Sequence, residues 1–149
     1  MEKACGFCGH SDAPEYVRQE LLDAVASLIR EEQAQIFYVG NHGGFDRMVQ
    51  SVLQEIQTSF PKIKVYVVYA YLPQKEDCIP NKMLTIFPEG LETVPKRAAI
   101  PRRNQWIVGH SSIMIAYVTR SFGGAAQTLA YAKRRKVDII RLGTSENGA

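Results

Sequence analysis

The sequence predicts an α/β protein: a doubly wound parallel sheet of about five strands with helices on both faces. Three observations predict it. Short apolar runs alternate along the chain with segments whose apolar residues recur at helical spacing. One run, Ile63 to Tyr69, is nearly all apolar and β-branched or aromatic, the composition of a central parallel strand covered on both sides. Glycine-rich turns stand where a strand gives way to a helix, at Gly40 to Asp46 and at Ser121 to Gly124. Alternation this regular implies right-handed crossovers between parallel neighbours.

Ala4 to Cys8 is the first predicted strand, ended by Gly9 and His10. Asp12 followed by Glu15 resembles a capping box, with Pro14 in the first turn, where its missing N–H does no harm. The helix behind it carries a one-sided stripe, Val17, Leu21, Leu22, Val25, Leu28 and Ile29. Ile36 to Val39 is the second strand. A second helix runs from Phe45 through Met48, Val49, Val52, Leu53 and Ile56 to about Ser59, and Pro61 lies just past its end. After the third strand the pattern breaks from Tyr71 to Lys96, a segment with four prolines that reads as a long loop or lid, in which Met83 to Phe87 could add a short extension. A helix is expected from about Pro101, with Arg102, Arg103 and Asn104 on its first turn and Trp106 and Ile107 facing inward. Ile113 to Val118 is the fourth strand, Ala125 to Arg134 a helix of small residues, Val137 to Leu142 the fifth strand, and 143–149 a flexible tail.

At 149 residues the chain suits one domain with one core. Its 46% hydrophobic and 22% charged content is ordinary for a globular protein, and no apolar run approaches the ~20 residues a membrane span requires. Met1-Glu2-Lys3 does not start a secretory signal, so a cytoplasmic location is expected and no membrane partner. Three cysteines argue against a disulfide framework. Cys5 and Cys8 have C-x-x-C spacing, but on a strand residues three apart face opposite sides, so neither a metal nor another cofactor is expected. The net charge of +3 is modest, and the basic clusters at Lys96–Arg103 and Lys133–Lys136 lack interleaved aromatics. Polymeric nucleic acid is therefore not an expected partner.

In an open parallel sheet, ligands sit beyond the carboxyl ends of the strands, at the point where strand order reverses. Three loops of this chain end strands in that way: Gly9-His10-Ser11, Gly40 to Asp46, and Ser121 to Gly124. Glycines admit close backbone approach, and the first amides of a helix present the positive end of its dipole, so two such turns with Arg102 and Arg103 between them form a plausible anion cradle. The candidate ligand contacts are Gly9, His10, Gly40, His42, Gly43, Gly44, Asp46, Tyr71, Arg102, Arg103, Asn104, Ser121, Gly123, Gly124 and Thr128. Several have a plainer reading. His42 and His10 also suit structural loop positions, Tyr71 is a stacking platform or a loop anchor, Asp46 complements a helix dipole or binds a ribose, and Trp106 fits the core better than a base.

Four stretches resemble one family: Gly6-Phe7-Cys8-Gly9-His10, Gly40-Asn41-His42-Gly43-Gly44-Phe45-Asp46, Arg102-Arg103-Asn104-Gln105-Trp106, and Ser121-Phe122-Gly123-Gly124-Ala125-Ala126-Gln127-Thr128-Leu129. In order and spacing the chain is similar, from Ala4 to Leu142, to the SLOG superfamily of Rossmann-like domains, which includes the DprA and LOG proteins, and within it to a small bacterial branch. The resemblance implies a five-stranded Rossmann-like domain that binds a nucleotide or nucleotide-derived ligand, often as a homodimer or larger homo-oligomer. LOG members hydrolyse the N-glycosidic bond of nucleoside 5′-monophosphates with an arginine and a glutamate from a P-G-G-x-G-T-x-x-E motif. Aligned on Gly123 and Gly124, that proline is Phe122 here, the later glycine and threonine are Ala126 and Gln127, and the glutamate is Ala130. Alanine can neither activate water nor stabilise an oxocarbenium-like charge. Binding, as in a sensor, is thus the first expectation. A LOG-like hydrolase, with Asp46 and Arg102 as its catalytic pair or a loop acid such as Glu89 or Glu92, is the alternative, and an assembly module without ligand the third.

Overall fold

The structure is a computed structural model and describes residues 2–74, 79–80 and 82–143. Six strands form one all-parallel sheet: β1 (Lys3–Gly9), β2 (Ala34–Val39), β3 (Lys64–Val68), β4 (Met83–Ile86), β5 (Ile113–Tyr117) and β6 (Asp138–Arg141), in the spatial order β4-β3-β2-β1-β5-β6. The helices are α1 (Val17–Glu32), α2 (Gly43–Ser59), α3 (Lys96–Gly109) and α4 (Gly124–Arg134). This is the Rossmann-like, doubly wound architecture expected.

The sheet buries both faces because strand periodicity sends alternate residues to opposite sides. Phe37, Val39, Val65 and Val67 pack with the apolar stripes of α1 and α2. Cys8, Val68, Met114 and Ala116 pack with Ile107, Val108, Leu129 and Ala132 of α3 and α4. Cys5 belongs to the first cluster and Cys8 to the second, so the two thiols lie on opposite faces of β1. No helix among the described residues is long and apolar enough to cross a membrane.

Three differences from the sequence reading matter for the site. The sheet has six strands, because Met83–Ile86 pairs along β3, Tyr66 beside Leu84 and Val68 beside Ile86. With a short 3₁₀ helix at Leu91–Thr93, this gives regular structure to part of the expected loop, whose residues 75–78 and 81 lie outside the described residues. The first helix begins at Val17 and has no side-chain cap; Asp12 does not cap it because its carboxylate is taken by Arg120. Third, α3 begins at Lys96, right after Pro95, and Pro101 lies inside it. Arg102 and Arg103 therefore sit in mid-helix, well away from the dipole end the sequence reading assigned them. Of the expected tail only Gly143 is described, its N–H donating to Glu20 Oε1 at 3.0 Å.

Candidate functional site

The chain runs from β1 outward through β2, β3 and β4, then crosses back to lay β5 on the other side of β1. This reversal opens a cavity of about 280 Å³ at the carboxyl ends of β1, β2 and β5. Its walls are the β1 loop (Gly9, His10, Ser11), the β2–α2 turn (Gly40, His42, Asp46), α3 (Ile100, Arg103, Asn104) and the β5–α4 turn (Arg120, Phe122, Gly123, Gly124).

The two glycine turns differ in what they offer. At the first, two amides are already engaged: Gly44 N–H donates to Ser11 O at 2.9 Å, and His42 N–H donates to Asp46 Oδ2 at 3.0 Å. A side chain on Gly44 would run into the Ser11 carbonyl, so the glycine serves the approach of two loops. Asp46 itself occupies the place an anion would take at the start of α2. Burial raises its pKa, opposed by the nearby Arg103 guanidinium and the His42 amide. This end of the cleft presents a carboxylate.

The second turn is held from outside and left open within. His10, 4% exposed, accepts at Nε2 the N–H groups of Thr119 at 3.0 Å and Arg120 at 3.2 Å, which requires a neutral ring with its proton on Nδ1. Burial, then Arg120, pushes its pKa down, in keeping with that state. Arg141 Nη2 donates to Val118 O at 2.6 Å, and Arg120 forks onto Asp12 at 3.0 and 3.2 Å. Gly123 then takes φ +95°, a conformation glycine adopts without strain, and starts α4. The first bond back into this helix end is Gln127 N–H to Gly123 O at 3.0 Å. The amides of Gly124, Ala125 and Ala126 thus have no acceptor among the described residues, no acid stands in the first turn, and nothing lies within 4 Å of where a Cβ of Gly123 or Gly124 would be.

Arg103 forms the cationic wall. It is 2% exposed, donates from Nη1 to Val68 O and from Nε to Asn104 Oδ1, both at 2.8 Å, and has no acceptor for Nη2 among the described residues. It faces Asp46 across Gly40, where a Cβ would stand 2.5 Å from Arg103 Nη1 and 2.6 Å from Asp46 Oδ2. Burial lowers the pKa of Arg103 and Asp46 raises it; an arginine stays charged under either influence.

The other candidates lie elsewhere. Arg102 is exposed and lines a separate shallow groove with Glu89 and Trp106, because adjacent helical residues diverge by about 100°. The expected catalytic pair Asp46 and Arg102 is therefore not assembled, and Glu89 and Glu92 both lie outside the cleft. Thr128 is buried and donates its hydroxyl to Gly124 O at 2.9 Å, Tyr71 donates to Lys96 O at 3.2 Å and stands edge-on to His42, and Ser121 is exposed off the cavity wall. Trp106 is half-buried, stacked on His110 at 3.8 Å and edge-on to Tyr38. The sequence reading missed the Asp12–Arg120 fork and the clamp made by His10, for which the only signal was their position at strand ends. Among the described residues no three His, Cys, Asp or Glu gather as a metal site would require.

No protein-family model and no curated protein matches the chain. Among the solved structures that match its fold are two of one protein. DNA processing protein A (DprA) from Streptococcus pneumoniae superposes with TM-score 0.66 at 15% identity, over 94% of this chain and 50% of that one. DprA from Helicobacter pylori, described for its single-stranded DNA binding mode, superposes with TM-score 0.64 at 12% identity, over 93% and 64%. The chain thus spans half to two thirds of the DprA chains it matches, and it shares the fold that the sequence resemblance implied. The Helicobacter structure overturns the expectation that set polymeric nucleic acid aside. That expectation judged each basic cluster by its own neighbours in sequence, whereas a binding surface is assembled from separate segments.

Proposed function

We propose that the cleft binds a nucleotide by its phosphate and does not cleave it. The observation that carries this reading is the meeting of three unengaged amides at the start of α4 with the buried guanidinium of Arg103 in one cavity. Helix-start amides and a planar guanidinium are both suited to phosphate oxygens. Asp46 gives the ligand a direction. A phosphate beside a carboxylate is repelled, so the phosphate lies at the α4 end and a sugar hydroxyl donates to Asp46. A cavity of about 280 Å³ is at the lower edge of the ~300–1,000 Å³ of ordinary ligand sites, enough for phosphate and sugar with the base at the mouth. Ala130 lies outside this cavity and carries no acid, which leaves Asp46 as the one carboxylate on the described cleft wall, already bound to the His42 amide.

The test is calorimetry with AMP, with folding checked by circular dichroism. Arg103→Met is expected to weaken binding by about 1.5–3 kcal/mol, the scale of a hydrogen bond to a charged group, and Arg102→Ala to leave it unchanged. Chromatography of the same mixtures is expected to show no free adenine. Equal affinity of Arg103→Met and the unmutated protein would refute the phosphate site, and rapid adenine release would replace binding with hydrolysis.

A further inference from the structure

Phe122 is a residue of the cleft wall to which the phosphate site gives no task. It directly precedes Gly123 at the β5–α4 turn, and its side chain is 67% exposed. An exposed phenylalanine says little by itself, since much of any protein surface is apolar. Here, of the four large apolar side chains exposed among the described residues, Phe122 alone lines the cleft. The other rings of the cleft are used inside the fold: Phe7 is buried and stacks on Phe37, His10 clamps the β5–α4 turn, and His42 stands edge-on to Tyr71. The Arg120 guanidinium, held by its fork on Asp12, lies over one face of the Phe122 ring, 5.8 Å from the centroid. At this exposure the opposite face is open.

The position of the ring fits the length of a nucleotide. Cα atoms two residues apart stand at most ~7 Å from each other, so Phe122 lies that close to Gly124, where the unengaged amides begin. One sugar separates a phosphate from its base by a comparable span. Polar side chains of the same wall are bonded within the fold, Asp46 to the His42 amide, Asn104 Oδ1 to Arg103 and Arg120 to Asp12. A ring face needs no such groups, because every base offers it a π-face. We infer that Phe122 holds the base of the ligand by stacking, a conclusion that rests on the phosphate position proposed above. Selection then follows ring area: the site prefers purine to pyrimidine monophosphates and does not separate adenine from guanine.

The experiment measures by calorimetry the affinities of AMP, GMP, CMP, adenosine and ribose 5-phosphate for the unmutated protein and for Phe122→Ala, Phe122→Tyr and Arg103→Met, each checked for folding by circular dichroism. AMP and GMP are expected to bind within about threefold of each other and about fivefold to a hundredfold more tightly than ribose 5-phosphate, the range for one base on one aromatic ring, with CMP in between. Phe122→Ala is expected to bring the ratio of AMP to ribose 5-phosphate affinity close to one while leaving ribose 5-phosphate itself unchanged, and Phe122→Tyr to keep the ratio. A ratio near one in the unmutated protein, or a ratio that survives Phe122→Ala, overturns the stacking role; ribose 5-phosphate binding that Arg103→Met weakens then still upholds the phosphate site. CMP bound as tightly as AMP, or a gap above about tenfold between AMP and GMP, overturns selection by ring area. If adenosine binds as tightly as AMP and Arg103→Met changes neither, the phosphate site falls, and loss of both ligands in Phe122→Ala upholds the stacking role. Binding of none of the five overturns both.

Discussion

His10→Gln isolates the clamp that holds the β5–α4 turn. In the folded protein the imidazole accepts two backbone N–H groups at 3.0 and 3.2 Å and is 4% exposed, so protonating Nε2 would orphan both donors and bury a charge beside Arg120. The folded-state pKa therefore lies below the ordinary value of about 6.5. As pH falls below that value the unfolded chain takes up the proton first, and stability declines. The contribution is complete above about pH 7 and is lost on acidification, with a slope of at most ~1.4 kcal/mol per pH unit for one proton, until the folded-state pKa is passed. Glutamine keeps an acceptor oxygen but no titrating group. Urea unfolding at a series of pH values from 7.5 to 5 is expected to give a wild-type stability that falls faster than that of His10→Gln, the difference curve staying within that slope. The other histidines cancel in the difference. His10→Phe, which leaves both amides without a partner, is expected to cost about 2–4 kcal/mol at pH 7.5, from 1–3 kcal/mol per orphaned donor with both donors only part-buried. Parallel pH profiles for wild type and His10→Gln would refute the neutral clamp.

Gly40→Ala places a methyl within 2.6 Å of both Arg103 Nη1 and Asp46 Oδ2, so both side chains must move. A loss of about 1–3 kcal/mol in thermal or urea unfolding is expected, together with weaker AMP binding by calorimetry. Asp12→Asn releases the Arg120 fork on the cleft rim, where its two hydrogen bonds now engage a carboxylate. AMP affinity is expected to rise by about two- to fivefold at low salt and to return to the wild-type value at high salt, as an exposed pair dictates.

The alternation of strand and helix, the one-sided stripes of α1 and α2, the separation of Cys5 from Cys8 and the location of the glycine turns at strand ends were all legible in the sequence. Each is a periodic or local property, set by two residues per repeat on a strand and 3.6 on a helix. Such patterns fix the phase of an element, and little about what another element brings against it. Only the tertiary structure decided that Arg103 enters the cleft while Arg102 points away, because α3 begins at Lys96 and that phase turns one arginine inward. It decided also that the more conspicuous glycine turn is filled by the Ser11 carbonyl and the Asp46 carboxylate, and that the plainer one keeps its amides open. Asp12 and Arg120 meet across 108 residues. None of these contacts has a period, so no window of sequence holds them. They exist because burying both faces of one twisted sheet brings the ends of its strands, and the helices above them, to a common edge.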